Sequence, residues 1–289
     1  MSRVFSTLVP VWVTVTYATV LGLVSTVLWV LGPEVRDRVV GHLSTNVENL
    51  GHGHVGTLLG SAFVTAEGPI YPLLPGLVCL LALAELLWRG RRLVQAFMLG
   101  HVGATLIVAA GLAAAIRAGW LPLSTAGATD VGLSYGAVGV LGALTAAMPT
   151  GWRPAWAGGW LTVAWVVASM SGWDFTAVGH AVALVLGMLL STRLHADAHW
   201  SALRRVLLGV GIAFGLLLLV GSWLSTAPAA VPAGLGVALL ALWPIRDRRR
   251  SSRTDPIHGK PVAQAISVTS GRCRQASSTG ATASTSMGS

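Results

Sequence analysis

Long runs of apolar residues, most of them near twenty residues and nearly free of charge, recur along this chain, separated by short polar clusters. They fall at roughly 8–31, 70–88, 94–116, 131–148, 154–171, 174–192, 205–225 and 229–245. A helix needs about 20 apolar residues to cross a bilayer, whereas barrel strands are about half that length and alternate in polarity. The pattern predicts an all-α polytopic membrane protein. Its first run, Leu8 to Leu31, is too long for a signal-peptide core and has no small-x-small cleavage site close behind it. It reads as a retained span. The last run, Ala229 to Ile245, is short and carries Pro232 and Pro244, but without it the basic tail would lie outside.

The spacing of the runs divides the chain into three regions. Residues 1–192 hold six spans, with a long loop at 32–69 after the first and short loops between the rest. That loop is too apolar for a free linker and fits an interfacial helix around Thr45 to Phe63. Residues 193–245 add two spans. The tail, 246–289, is rich in Ser, Thr, Gly and Arg without apolar periodicity, which predicts disorder.

Composition agrees with the membrane reading. Of 289 residues, 54% are hydrophobic and only 10% charged, with a mean hydropathy of +0.71; a soluble domain averages about 25% charged. The net charge of +9 raises nucleic acid as a partner, and the placement of the charges argues against it. With the N-terminus cytoplasmic, the inner side holds Arg3, Arg89, Arg91, Arg92, Arg153, Arg193, Arg204, Arg205 and the eight cations from Arg246 onward, 16 of the 19 Lys and Arg residues. Only Arg36, Arg38 and Arg117 fall outside, beside Glu34, Asp37, Glu48, Glu67, Asp130 and Asp174. The basic excess is therefore a topology signal that puts both termini in the cytoplasm. The run RDRRRSSR at the start of the tail suits anionic lipid headgroups. Cys79 lies in a span and Cys273 in the tail, so neither a disulfide nor a zinc site is expected.

Ionisable residues inside a bilayer are costly and are the first candidates for function. Here they are Glu85, His101 and His180. Glu85 is four residues before Arg89 and reads as its i,i+4 partner near the interface. His101, a single histidine in its span, reads as a hydrogen-bonding group between helices. His180 differs because something answers it. It lies six residues after Asp174, where its span begins, and Ser134 lies four residues after Asp130, where another span begins. At 1.5 Å rise per residue, hydroxyl and imidazole sit about 6 and 9 Å below the same membrane face. The two helices also carry small residues that permit close approach: Gly132, Gly136, Gly139, Gly142 and Ala143 on one, Gly179, Ala183 and Gly187 on the other. A serine with a histidine base in reach is the minimum apparatus of nucleophilic acyl transfer. The blander alternatives are a packing role for Ser134, N-caps at Asp130 and Asp174, and an interfacial anchor at Tyr135.

At these residues the chain resembles the rhomboid family of intramembrane serine proteases. G-L-S-Y-G at 132–136 stands where rhomboids carry G-x-S-G on the fourth core helix. G-H-A-V-A-L-V-L-G at 179–187 matches the histidine and spaced small residues of the sixth. The resemblance covers 1–192, includes the long first loop and the Glu85 and Gly90 pair, and in S-T-N-V-E-N-L is similar to an actinobacterial rhomboid-like branch. It implies a rhomboid-like six-helix core with two additional C-terminal helices, in a bacterial plasma membrane. It also implies Ser134 as nucleophile and His180 as base, supported by Gly132, Tyr135, Gly136 and Gly187, with no cofactor and no metal. Transmembrane proteins would be its substrates or clients.

The departures are specific. Tyr135 replaces a glycine, and Val138 stands where an aromatic often supports the histidine. The histidine and asparagine that hold the oxyanion in rhomboids fall at about Pro69 and Leu73, which offer no side-chain donor. The backbone N–H groups at Ser134 and Leu133, or Asn49, His52 or His54 of the loop, are the candidates to replace them. An inactive rhomboid-like protein that binds transmembrane helices is the alternative function. A transporter or metal-binding protein using His42, His52, His54 and His101 is the third, with neither duplicated halves nor a midplane row of charges behind it.

Overall fold

The computed structural model describes residues 11–65, 68–195 and 200–254. Arg3, Glu67 and most of the basic tail lie outside them. The chain divides into two units, Met1–Arg248 and Arg249–Ser289, and the helix bundle is built by the first.

The main helices are α1 (Trp12–Leu31), α2 (Leu74–Met98), α3 (Ala104–Arg117), α4 (Ser134–Ala143), α5 (Arg153–Met170), α6 (Phe175–Ser191), α7 (Ala202–Val220) and α8 (Ala227–Thr254). Among the described residues there is no strand. Four stretches are long and apolar enough to cross a bilayer: Trp12–Leu31, Leu74–Arg117, Ala202–Val220 and Leu224–Leu242. The second is kinked at Arg89, whose φ of 67° and ψ of 162° break α2 beside Gly90. A π-helical turn, Leu99–Gly103, joins α2 to α3. The protein is an all-α polytopic membrane protein, as its pattern of runs predicts.

Helix α4 is the hub. Every residue from Tyr135 to Ala143 is buried, and so is its 3-10 continuation, Leu144–Ala147. A helix apolar on all faces belongs inside a bundle. It packs against α2, the π turn, α6 and α7. Around it α2 touches α7, α7 touches α5, α5 touches α6 and α6 touches α3, so the surround is closed. Helix α1 packs on α2.

Glycines let the hub come this close. A Cβ at Gly139 would collide with Gly100 Cα at 2.6 Å, and one at Gly142 with the Leu184 carbonyl oxygen. One at Gly187 would overlap the Gly139 carbonyl oxygen. These are backbone-to-backbone contacts on the faces the small residues predict.

Three expectations change. Glu85 is no interfacial partner of Arg89. It is buried, and its carboxylate accepts from the Val13 and Thr14 amides at 3.0 and 2.8 Å and from Thr14 Oγ1 at 2.7 Å. It thus satisfies the free amides at the start of α1, where a carboxylate also meets the helix dipole favourably. The long loop is not one helix. Asn46 caps Val47–Gly51 and Gly53 then turns at φ 81°, so the stretch forms short helices, including Pro33–Leu43 and Thr57–Gly60. At the other end of the chain, α8 continues to Thr254, so the basic run from Arg246 to Arg253 begins as helix.

Replacing Gly187 with Val should cost about 3 kcal/mol, the upper end for overpacking, because the group it meets is a backbone carbonyl that cannot repack. Gly111→Ala, which has nothing within 4 Å, should be neutral or slightly stabilising. Thermal unfolding in detergent checks both.

Candidate functional site

Helix α4 with its 3-10 tail spans only 14 residues, Ser134–Ala147. At 1.5–2 Å per residue it is about 21–23 Å long, short of a hydrocarbon core of about 30 Å. Its C-terminal end is tied to a cation: the Arg153 guanidinium donates to the Met148 and Ala146 carbonyls, both at 3.1 Å. The shortfall therefore falls at the other end, where Ser134 opens the helix. Gly132, at φ 124°, keeps the preceding residues out of helical geometry. The sequence expectation of a span starting at Asp130 is corrected accordingly: Ser134 is the first helical residue, not one turn in. Nor does Asp130 cap α4, whereas Asp174 does cap α6, accepting from the Thr176 amide at 3.1 Å.

The first loop fills the space above this short end. The Thr45 amide donates to the Asp130 carbonyl at 2.8 Å, the Asp130 amide to Ser44 Oγ at 2.9 Å and the Gly132 amide to the Ser61 carbonyl at 2.9 Å. Tyr17 anchors the loop from α1, its hydroxyl donating to the Ala62 carbonyl at 2.7 Å. Between the loop and the helices lies an open cavity of about 390 Å³. Ser134 and His180 both line it, with Asp130, Tyr135 and Gly132. The loop contributes Ser61 and Thr45, the π turn His101, and α7 Leu217 and Leu218.

The two residues expected to act together thus share one cavity. Ser134 is half-buried and His180 buried, with Nε2 lacking a hydrogen-bond partner. No hydrogen bond joins them in this structure. Tyr135 is buried rather than interfacial: its ring fills the notch at Gly179 and meets the His180 ring edge-on, with centroids 5.3 Å apart. Gly136 serves packing, lying against the Phe97 ring.

The loop residues proposed as oxyanion donors are not at the site. Asn49 Nδ2 is committed to the Gly41 and Ser44 carbonyls at 3.1 and 2.8 Å. His52 and His54 are exposed, and a His52 ring nitrogen contacts the Glu48 carbonyl. His42 is exposed as well, and no three metal-ligating side chains cluster among the described residues. The pair that sequence reasoning missed is Ser61 and His101, whose Oγ and Nε2 are 3.2 Å apart and buried. Their separation of 40 positions hid it; the one available signal was a histidine inside a span.

A family model described as rhomboid-like protein matches residues 9–196. The chain belongs to the rhomboid-like protein family. Neither the curated proteins nor the solved structures contain a match to it. The matched region ends before α7, so a helix outside it supplies part of the cavity wall in this rhomboid-like protein.

Burial pushes the Asp130 carboxyl up to about 6, and the nearby Tyr135 hydroxyl pulls the other way without reaching hydrogen-bond distance. Between about pH 4 and 6 the folded chain holds a proton there that the unfolded chain has released. Stability should be full below this window and fall as pH rises through it. Asp130→Asn should remove the fall, raising stability at pH 7.5 by up to about 2 kcal/mol and converging with the parent at pH 4. Melting curves across pH 4–8 check this.

Proposed function

We propose that this rhomboid-like protein is an intramembrane serine peptidase that cleaves transmembrane proteins with a Ser134–His180 dyad. The observation that carries the reading is the shared cavity: a half-buried serine hydroxyl and an imidazole whose Nε2 is unpartnered line one polar, open space at the short end of α4. The reading requires a nucleophile–base hydrogen bond between these two side chains, a contact that is often long in unliganded enzymes.

In the reaction, Ser134 Oγ attacks the scissile carbonyl carbon while His180 takes its proton. The tetrahedral intermediate collapses, its C–N bond breaks and the leaving amine receives that proton from His180. Water, deprotonated by the same imidazole, then attacks the acyl-enzyme, and Ser134 regains its proton as the acid leaves. Such a dyad needs no metal and no cofactor. With the charge distribution of the loops, the cavity opens on the outer face of a bacterial plasma membrane, both termini are cytoplasmic, and the run from Arg246 meets anionic headgroups.

A second reading has its own observation. Tyr135 stands edge-on to His180, and the His180 Nε2 has no hydrogen-bond partner, Ser134 included. An inactive member that binds transmembrane helices would have this arrangement at rest.

Fluorophosphonate labelling of the detergent-purified protein separates the two. Labelling of the parent that is lost in both Ser134→Ala and His180→Ala is the expected result. A folded parent that takes up no label would rule out the peptidase and favour the helix-binding protein.

A further inference from the structure

A serine–histidine dyad leaves one need unmet. The tetrahedral intermediate carries a negative oxygen in a site of low dielectric, and donors preset for that oxygen are usually a large part of catalysis. The places at Pro69 and Leu73 supply none, and Asn49, His52 and His54 are spent or remote.

We propose that the buried Ser61–His101 pair is the oxyanion donor of the Ser134 site. The inference rests on Ser134 being the nucleophile. Its basis is hydrogen-bond bookkeeping. A neutral imidazole has one N–H and a serine one O–H, so the pair owns two donors. The contact between Oγ and Nε2 at 3.2 Å uses one of them, whichever tautomer is present. If Nε2 carries the hydrogen, the Ser61 O–H remains. If Nδ1 carries it, that N–H is buried and turned toward the Leu58 backbone carbonyl without reaching hydrogen-bond geometry. The donor left to serve the cavity is the Ser61 O–H, held in place by the His101 Nε2–H, and both residues line the cavity of Ser134 and His180.

The backbone places the pair where this donor is useful. His101 sits in the π turn Leu99–Gly103, an irregularity found often at functional sites. Its neighbour Gly100 lies against the Tyr135 carbonyl and Gly139, so the turn is seated on the first turns of α4, beside Ser134. Phe97 stacks on the His101 ring, with centroids 6.1 Å apart, and limits its rotation. Ser61 is held from the other side, where its carbonyl accepts from the Gly132 amide. The loop and the π turn thus clamp the pair against the segment that carries the nucleophile. A preset donor costs no reorganisation when charge develops.

The test is the kinetics of fluorophosphonate labelling, in which the phosphoryl oxygen takes the place of the substrate carbonyl oxygen. Ser61→Ala and His101→Ala should each lower the maximal labelling rate by about 10²–10³-fold. The concentration for half-maximal rate and the melting temperature should change little. The double variant should be hardly worse than either single one, because the two residues act as a unit. His101→Gln, which restores an N–H donor, should recover most of the rate; a packing role alone would give neither the selective loss nor this rescue. Should the alanine variants unfold, Ser61→Cys keeps the shape with a weaker donor and must still label slowly. Parent-like rates in folded Ser61→Ala and His101→Ala, with labelling still lost in Ser134→Ala, would overturn this proposal alone. An unlabelled but folded parent would overturn the nucleophile reading and this one with it.

Discussion

Contact between backbones, made possible by glycine, is the constraint that organises this fold. Helix α4 meets the π turn through Gly139 and Gly100, and meets α6 through Gly142 and Gly187, with carbonyl oxygens and Cα atoms filling the space that side chains would occupy. In lipid there is little hydrophobic drive for helices to associate, so close van der Waals packing must supply it. Those contacts seat α6 alongside α4, and Gly179 makes the notch for the Tyr135 ring. The same contacts put Ser134 and His180 on one cavity and bring His101 beside the first turn of α4.

A short central helix turns this packing into a site. Because α4 is too short to span the hydrocarbon and its far end is held by Arg153, its near end leaves polar atoms below the surface. Backbone groups at that depth must find partners inside the protein. The first loop provides them: Ser44 and Thr45 satisfy the amide and carbonyl of Asp130, and Ser61 accepts from the Gly132 amide. What reads as a connection in the sequence is therefore a structural lid, fixed from α1 by Tyr17. The same economy appears where Glu85 satisfies the first amides of α1.

Helix α7 gives the chain its individual character. It wedges between α2 and α5 through Phe214 on Gly76 and through Gly215 on Leu141 and Trp160, and its end borders the cavity. Helix α8 then docks on α5 through Gly234 and Gly159. Helix α7 thereby covers part of α4.

Much of the architecture is legible in the order of residues alone. Charge-free runs can only be helices in a bilayer, and small residues at 139, 142 and 187 name the faces that must touch. Ser134 and His180 are marked too, because each follows the start of its own span by a few residues and local spacing carries that information. The buried polar partnerships of the structure emerge only when distant segments have packed. Glu85 has Arg89 four residues away in sequence, yet it serves Val13 and Thr14, because the break at Arg89 leaves the carboxylate facing α1. His101 and Ser61 were unreadable for a related reason: a loop residue and a span residue meet only after the loop has folded onto the short end of α4. Even the position of Ser134 within its helix was set by the positive φ of Gly132, which no hydrophobic pattern records. Hydrophobic periodicity encodes which faces are buried; which polar groups satisfy one another depends on three-dimensional proximity between distant segments.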